Sequence, residues 1–263
     1  MLSFYNSLVF PTAMVNEYYE AARHQQRAWD DSGLSSILSH VDTTGEEINI
    51  SFYLHRTLVN DLTRARSPNA PRVVLYSHGN AEALDSGNRG FMRELSQRWG
   101  CSVAAYDYCG YGDSKGEPTE QNCYRNIEAV WRRLVDEEGF RPENIILLGR
   151  SIGTGPTVYL AMQHPEVHKM ILISPMKSVI QCVLPFTIPG LDMFPSLNRI
   201  SQVKVPTLFI HGRADDVIPF SHGEALYHRS QASNRVPVWV DRAGHNDIFV
   251  EEVYEGLRMF ITT

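Results

Sequence analysis

No run of apolar residues in this chain reaches the roughly 18 that a membrane-crossing helix needs, so no spanning segment is expected. Positive charge is short as well. Lys and Arg number 24 against 30 Asp and Glu, a net charge of −6, and no basic cluster offsets that balance. A nucleic-acid partner is disfavoured accordingly. Cysteine is scarce: Cys101, Cys109, Cys123 and Cys182 show neither CxxC spacing nor zinc-type partner histidines. Free thiols in a reducing, cytoplasmic compartment are the expectation, with no metal and no cofactor. The basic n-region of a secretory signal is missing, since the first basic residue is Arg23, and Leu2 rules out the myristoylation pattern. Leu2, Phe4, Leu8, Val9 and Phe10 leave two readings open, peripheral contact with a membrane surface and packing on the chain's own domain; packing is the commoner. Repeats, low-complexity stretches and Gly/Ser-rich linkers are absent too, so residues 1–263 read as a single domain with an N-terminal extension over 1–45.

What the chain does have is apolar material, 43% of its residues, enough for one sizeable core. Residues 47–53 alternate apolar and polar, as a half-buried strand does. From Arg72 onward, short β-rich runs alternate with longer helix-like ones, the pattern of βαβ units on a parallel sheet. Strands are predicted at Val73–Ser77, Ser102–Tyr106, Ile145–Leu148, Met170–Ile173, Thr207–Ile210 and Val238–Val240. Helices are predicted at Arg89–Trp99, Glu120–Glu138, Gly153–Gln163, His222–Arg229 and Asp247–Ile261. The fold class is therefore α/β: a mostly parallel twisted sheet with helices on both faces. One segment, Pro175–Val205, is too long for a regular crossover and is broken by four prolines before Arg199. It reads as a short cap inserted over the sheet's carboxyl edge, with an irregular packed connection as the equal alternative. In the cap reading Met176, Phe186 and Met193 line a substrate pocket.

Chemistry enters at Gly149-Arg150-Ser151-Ile152-Gly153. Gly-x-Ser-x-Gly is a weak signal by itself, but here a strand precedes it and a helix follows. That strand–turn–helix setting presents a serine on a sharp bend which glycine neighbours tolerate. A serine hydroxyl needs a base to take its proton, and the base needs a carboxylate to orient it. Further along, the loop after the Thr207–Ile210 strand carries Asp215 and Asp216, and the loop after the last strand carries His245. Taken singly, each has a plainer reading, as a turn or capping residue. Together they follow Ser151 in the order serine, acid, histidine, each at a strand's carboxyl end, where function collects in open α/β sheets. For the oxyanion, the backbone N–H of Ile152 is the first expected donor. Asn80, in the His78-Gly79-Asn80 loop after the first strand of the alternation, is the second.

These residues resemble the α/β-hydrolase fold serine hydrolases, and within them the alpha/beta-hydrolase domain-containing protein 17 depalmitoylases. The motifs that carry the resemblance are Ser77-His78-Gly79-Asn80-Ala81-Glu82, Tyr106-Asp107-Tyr108-Cys109-Gly110-Tyr111-Gly112, Pro142-Glu143-Asn144-Ile145-Ile146, Ser151-Ile152-Gly153-Thr154 and Gly244-His245-Asn246-Asp247. Over residues 72–262 the resemblance implies Ser151 as nucleophile, Asp215 rather than Asp216 as acid, and His245 as base. Two features depart from that family's pattern: no cysteine cluster stands near the N-terminus, and Arg150 occupies a position where those proteins usually carry glutamine. The expected activity is hydrolysis of carboxylic esters or thioesters of acyl chains through an acyl-enzyme. Palmitoyl-protein thioesterase activity is the specific form, with an acylated protein or lipid as partner at the membrane periphery. A peptidase or lipase on the same triad, and a non-catalytic scaffold protein, are the alternatives.

Overall fold

Continuous apolar runs become strands covered on both faces. The computed structural model describes residues 6, 9–25, 34–41, 44–45, 47–55, 72–84, 89–184, 186, 190 and 192–263. Two compact units divide the chain, Met1–Arg141 and Pro142–Thr263.

In the first unit, helix α1 (Thr12–Gln25) precedes strands β1 (Leu34–Val41), β2 (Glu47–His55) and β3 (Val73–Ser77), helix α2 (Arg89–Trp99), strand β4 (Ser102–Tyr106) and helix α3 (Glu120–Arg132). The strand order is β1-β2-β4-β3. β1 runs antiparallel to β2 and β2 antiparallel to β4, while β3 and β4 are parallel, Val73 facing Ser102. Every residue of β3 and β4 is buried, as expected for strands whose sequence never alternates. α2 packs on β2 and β4, and α3 on β1 and β4. α3 begins where Thr119 accepts a hydrogen bond from the Asn122 amide at 3.1 Å, with Glu120 in the first turn favouring the helix dipole. A wide turn over Arg133–Glu137 continues it, and Gly139 at φ 74° leads the chain away. Strand β1 lies inside the stretch read as an extension. Its sequence, LSSILSHV, shows no clean alternation, and only pairing with β2 makes it a strand.

Of the N-terminal apolar residues, Leu2, Phe4 and Leu8 lie outside the described residues. Phe10 is buried with its ring edge-on to Tyr111 at 6.5 Å, the packed arrangement of the two considered. The Asn16 side chain donates to the Gly110 carbonyl at 3.0 Å and accepts from the Gly112 amide at 2.9 Å, so the N-terminal helix is hydrogen-bonded to the loop after β4. No helix among the described residues is long and apolar enough to cross a membrane.

The second unit holds β5 (Ile145–Arg150), α4 (Thr154–Gln163), β6 (Lys169–Ile173), α5 (Ser196–Arg199), β7 (Thr207–Gly212), α6 (Ser221–Arg229), β8 (Arg235–Val240) and α7 (Glu251–Thr262). Its strands run β5-β6-β7-β8, all parallel. Register brings their carboxyl ends level: Arg150 stands beside Ile173, Ile173 beside Ile210, and Gly212 beside Val240. α4 packs on β5 and β6, α6 on β7, and α7 on β8. β8 reaches back to Arg235, beyond the predicted Val238, because Pro237 is tolerated in a strand at the end of the order, which is also the one strand of this unit with exposed residues. α7 starts four residues after the predicted Asp247, whose side chain is used in the turn before it.

Among the described residues of 175–205 no long element occurs; short turns at Ile180–Cys182 and Ile200–Gln202 flank α5. Its ends are packed, with Met176, Met193, Phe194 and Ile200 all buried. Its middle presents Val183, Leu184 and Phe186 to solvent, Phe186 at 56% exposure.

Candidate active site

β5 delivers the chain to Ser151 in a left-handed conformation, φ 54°, unusual for a residue with a Cβ and found where structure around it enforces it. A Cβ at Gly149 would lie 2.5 Å from Thr157 Oγ1 and 2.6 Å from the Gly153 carbonyl, so the strand can meet the helix this closely only with glycine there. Gly153, by contrast, has an ordinary right-handed φ of −61°. The strain of the bend therefore sits on the serine itself. Thr154 Oγ1 donates to the Ser151 carbonyl at 2.6 Å and Thr157 Oγ1 to the Gly153 carbonyl at 2.8 Å, tying the bend to the start of α4.

Asp215 sits in the turn after β7. Its Oδ1 accepts from the amides of Val217 at 3.0 Å and Ile218 at 2.8 Å, and its Oδ2 accepts from His245 Nδ1 at 2.9 Å. That bond settles the imidazole tautomer: Nδ1 carries the proton, and Nε2 is left to accept the Ser151 hydroxyl, 3.1 Å away. Asp216 is exposed. Burial by itself would push the Asp215 carboxyl up. Hydrogen bonds from His211, His245 and the Ile218 amide outweigh that penalty and hold it far below the ordinary carboxylate range.

The two loops can approach because Gly212, at the end of β7, has no side chain; a Cβ there would overlap the Ala243 carbonyl of the histidine loop. The Ala214 amide then donates to that same carbonyl at 3.1 Å, and the Arg213 amide to Val240 at 2.9 Å. On the other side, Arg150 Nη2 donates to the His245 carbonyl at 3.1 Å and to Asn246 Oδ1 at 3.0 Å, its guanidinium 5.9 Å from the Phe249 ring centre. The residue before Ser151 thus holds the loop that carries His245. Charge-assisted bonds of this kind are worth more than neutral ones, less where solvent reaches them. Arg150→Ala is expected to lower kcat/KM about tenfold with little change in Tm; steady-state kinetics beside a thermal melt checks this, and an unchanged kcat/KM would remove Arg150 from the site.

Ile152 opens the helical run that follows the serine, where the first amides have no carbonyl one turn back and point outward. Asn80 belongs to the first unit. There its Nδ2 donates to the Val9 carbonyl at 2.6 Å and its Oδ1 accepts from the Tyr111 hydroxyl at 2.6 Å. Both ends of the side chain are committed, so the group Asn80 could offer an oxyanion is its backbone N–H. Met176 and Met193 are buried and Phe186 is exposed, so these three residues do not share one environment. Burial pushes the thiols of Cys101 and Cys182 each up to about 12.

Two residues near Asp215 and His245, Arg150 and His211, were not expected from the sequence to contact them. Arg150 stood out only as a departure from the related pattern. His211 was visible as the histidine of the His-Gly pair closing β7, yet nothing in its position along the chain revealed that its ring turns back onto the acid.

Residues 72–187 match the family model described as alpha/beta hydrolase fold. Alpha/beta hydrolase domain-containing protein 17B of Homo sapiens is 45% identical over 199 residues, covering 74% of this chain and 68% of that protein. Alpha/beta hydrolase domain-containing protein 17C of Xenopus tropicalis is 46% identical over 200 residues, covering 74% of this chain and 63% of that protein. The matched region thus spans about two thirds of the length of these relatives. Among solved structures, the esterase Pf2001 of Pyrococcus furiosus superimposes with a TM-score of 0.64 at 17% identity, covering 88% of this chain and 91% of that one. Est1E of Butyrivibrio proteoclasticus, with ferulic acid bound, gives 0.65 at 18% identity, covering 84% and 96%. At such identities the structural likeness speaks for the fold alone.

Proposed function

This chain belongs to the α/β-hydrolase family and is a serine hydrolase, and from that premise we propose that it cleaves esters or thioesters of acyl chains through an acyl-enzyme on Ser151. One observation carries the reading: Ser151 Oγ, His245 and Asp215 stand in a hydrogen-bonded row, 3.1 Å and 2.9 Å between successive partners. His245 Nε2 takes the hydroxyl proton as Oγ bonds to the acyl carbon. Negative charge moves to the carbonyl oxygen, which the Ile152 amide stabilises. As the tetrahedral intermediate collapses, the imidazolium returns its proton to the departing alkoxide or thiolate. Water then attacks the acyl-enzyme, deprotonated by the same nitrogen, and release of the acid regenerates Ser151. Asp215 stays ionised throughout and stabilises the imidazolium.

The acyl group is the recognised part of the substrate in this proposal, and the segment 175–205 supplies its pocket. Apolar composition supports this, as does the likeness to the alpha/beta hydrolase domain-containing protein 17 sequences, which points to a palmitoyl-type chain on a protein or lipid at a membrane surface. Each methylene enclosed contributes about 0.8 kcal/mol, so kcat/KM should climb severalfold per carbon and stop rising once the pocket is full. Turnover against a graded series of acyl esters and thioesters, with a peptide amide alongside, is the test. A profile flat in chain length removes the segment from substrate recognition. Faster cleavage of the amide than of the matching ester replaces this reading with a peptidase.

A further inference from the structure

Asp215 Oδ2, the oxygen that holds His245, has a second imidazole beside it. His211 Nε2 stands 3.3 Å from Oδ2 and 2.9 Å from the Ile218 carbonyl. A carbonyl only accepts, so Nε2 carries the proton and directs it into the turn that forms the acid's seat. The Ile218 peptide is gripped from both sides: its oxygen accepts from His211, and its N–H donates to Asp215 Oδ1 at 2.8 Å. His211 itself is fully buried, with the Phe220 ring edge-on at 5.8 Å. Its Nδ1 has no hydrogen-bond partner and lies against Gly223 of α6, where a Cβ would overlap it. A donor at Nδ1 would go unmet in this buried site, so the donating edge of the ring is Nε2. His222 is also buried; its Nδ1 accepts from the Lys177 amide at 3.2 Å, and its affinity for a proton is pushed down to about 4 by burial first and by Lys177 next.

From this arrangement we infer that His211 is a positioning residue for the acid: its Nε2–H clamps the 215–218 turn and the Oδ2 oxygen together, aiming the carboxylate at His245 Nδ1. A ring that merely filled space would be replaceable by any ring. A clamp needs the N–H. The inference rests on the triad reading above and makes the N–H, not the ring, the required feature.

Two substitutions separate these cases. His211→Gln keeps an N–H near the place of Nε2, whereas His211→Phe keeps a ring of similar size and loses the donor. Each is to be assayed for kcat and KM on an ester substrate, for Tm, and for the low-field proton resonance of the His245–Asp215 hydrogen bond. The expected result is a His211→Gln enzyme within about threefold of wild type with the resonance in place. His211→Phe should lose about 10- to 100-fold in kcat, with KM little changed and the resonance shifted upfield or lost to exchange. If His211→Phe does not fold, His211→Asn, whose shorter side chain draws the donor back from Oδ2, takes its place with the same expectation. Equal kcat and an unmoved resonance in the donor-free or donor-shortened variant overturn the inference. So does a loss of activity that tracks Tm equally in both substitutions. Fluorophosphonate labelling of the wild-type protein is the separate control: if Ser151 takes no label, the triad reading itself fails, whatever His211 does.

Discussion

Ser151→Ala is expected to cut turnover by roughly three to six orders of magnitude while leaving Tm within a few degrees of wild type. The asymmetry follows from what the hydroxyl does. In the resting protein its hydrogen-bonding partner is His245 Nε2, 3.1 Å away. Alanine retains the Cβ and the same strained φ of 54°, so the bend costs the variant no more than it costs the wild type. Without Oγ no acyl-enzyme can form, and only binding and the oxyanion donors remain to assist water. Single-turnover kinetics beside a thermal melt tests both halves. Turnover within about tenfold of wild type would mean another group attacks the acyl carbon.

Asp215→Asn should be nearly as severe, about 10⁴-fold in kcat, and Asp216→Asn should stay within about threefold. An asparagine at 215 can present its amide NH2 to His245 Nδ1. The imidazole then does best as its other tautomer, with the proton on Nε2 and no lone pair facing Ser151. Asp216, exposed in the same turn, stands outside this row. The pH dependence follows with its sign. Asp215's folded-state pKa is depressed, so its stabilisation is complete above the unfolded carboxylate value of about 4 and is lost only as pH falls through the folded one. The Asp215→Asn defect should accordingly be constant across the neutral and alkaline range, and no rise in pH should restore it. A pH–rate profile of kcat/KM for both variants decides the matter; a larger loss at 216 would reassign the acid.

Several of these features are legible in the sequence. Strands β3 to β7 follow from apolar runs too continuous for a half-solvated sheet, a property of neighbours along the chain. The serine bend was legible for the same reason, since Gly149 stands two residues from Ser151 and the surrounding periodicity switches there from strand to helix. Chain order also put one acid loop and one histidine loop after the serine. Strand β1 was not legible, because its serines mask any alternation and its partner strand supplies the structure. Nor was the division of the segment 175–205 into packed ends and an exposed middle. Met176, Phe186 and Met193 look alike in composition and differ only in what lies beside them.

By itself, then, the sequence determined which short stretches bend, extend or coil, and in what order the reactive side chains arrive at strand ends. The tertiary structure alone decided which of them meet. Ser151 and His245 are 94 residues apart, and His245 and Asp215 are 30 apart. Their contact depends on the register of four parallel strands that levels the carboxyl ends, and on Gly212 letting the Ala243 backbone close in. The same holds for Arg150 on the histidine loop and for His211 behind the acid. Local propensity acts over a few residues. Hydrogen bonds across loops act over a few ångströms, and only the packed sheet converts one distance into the other.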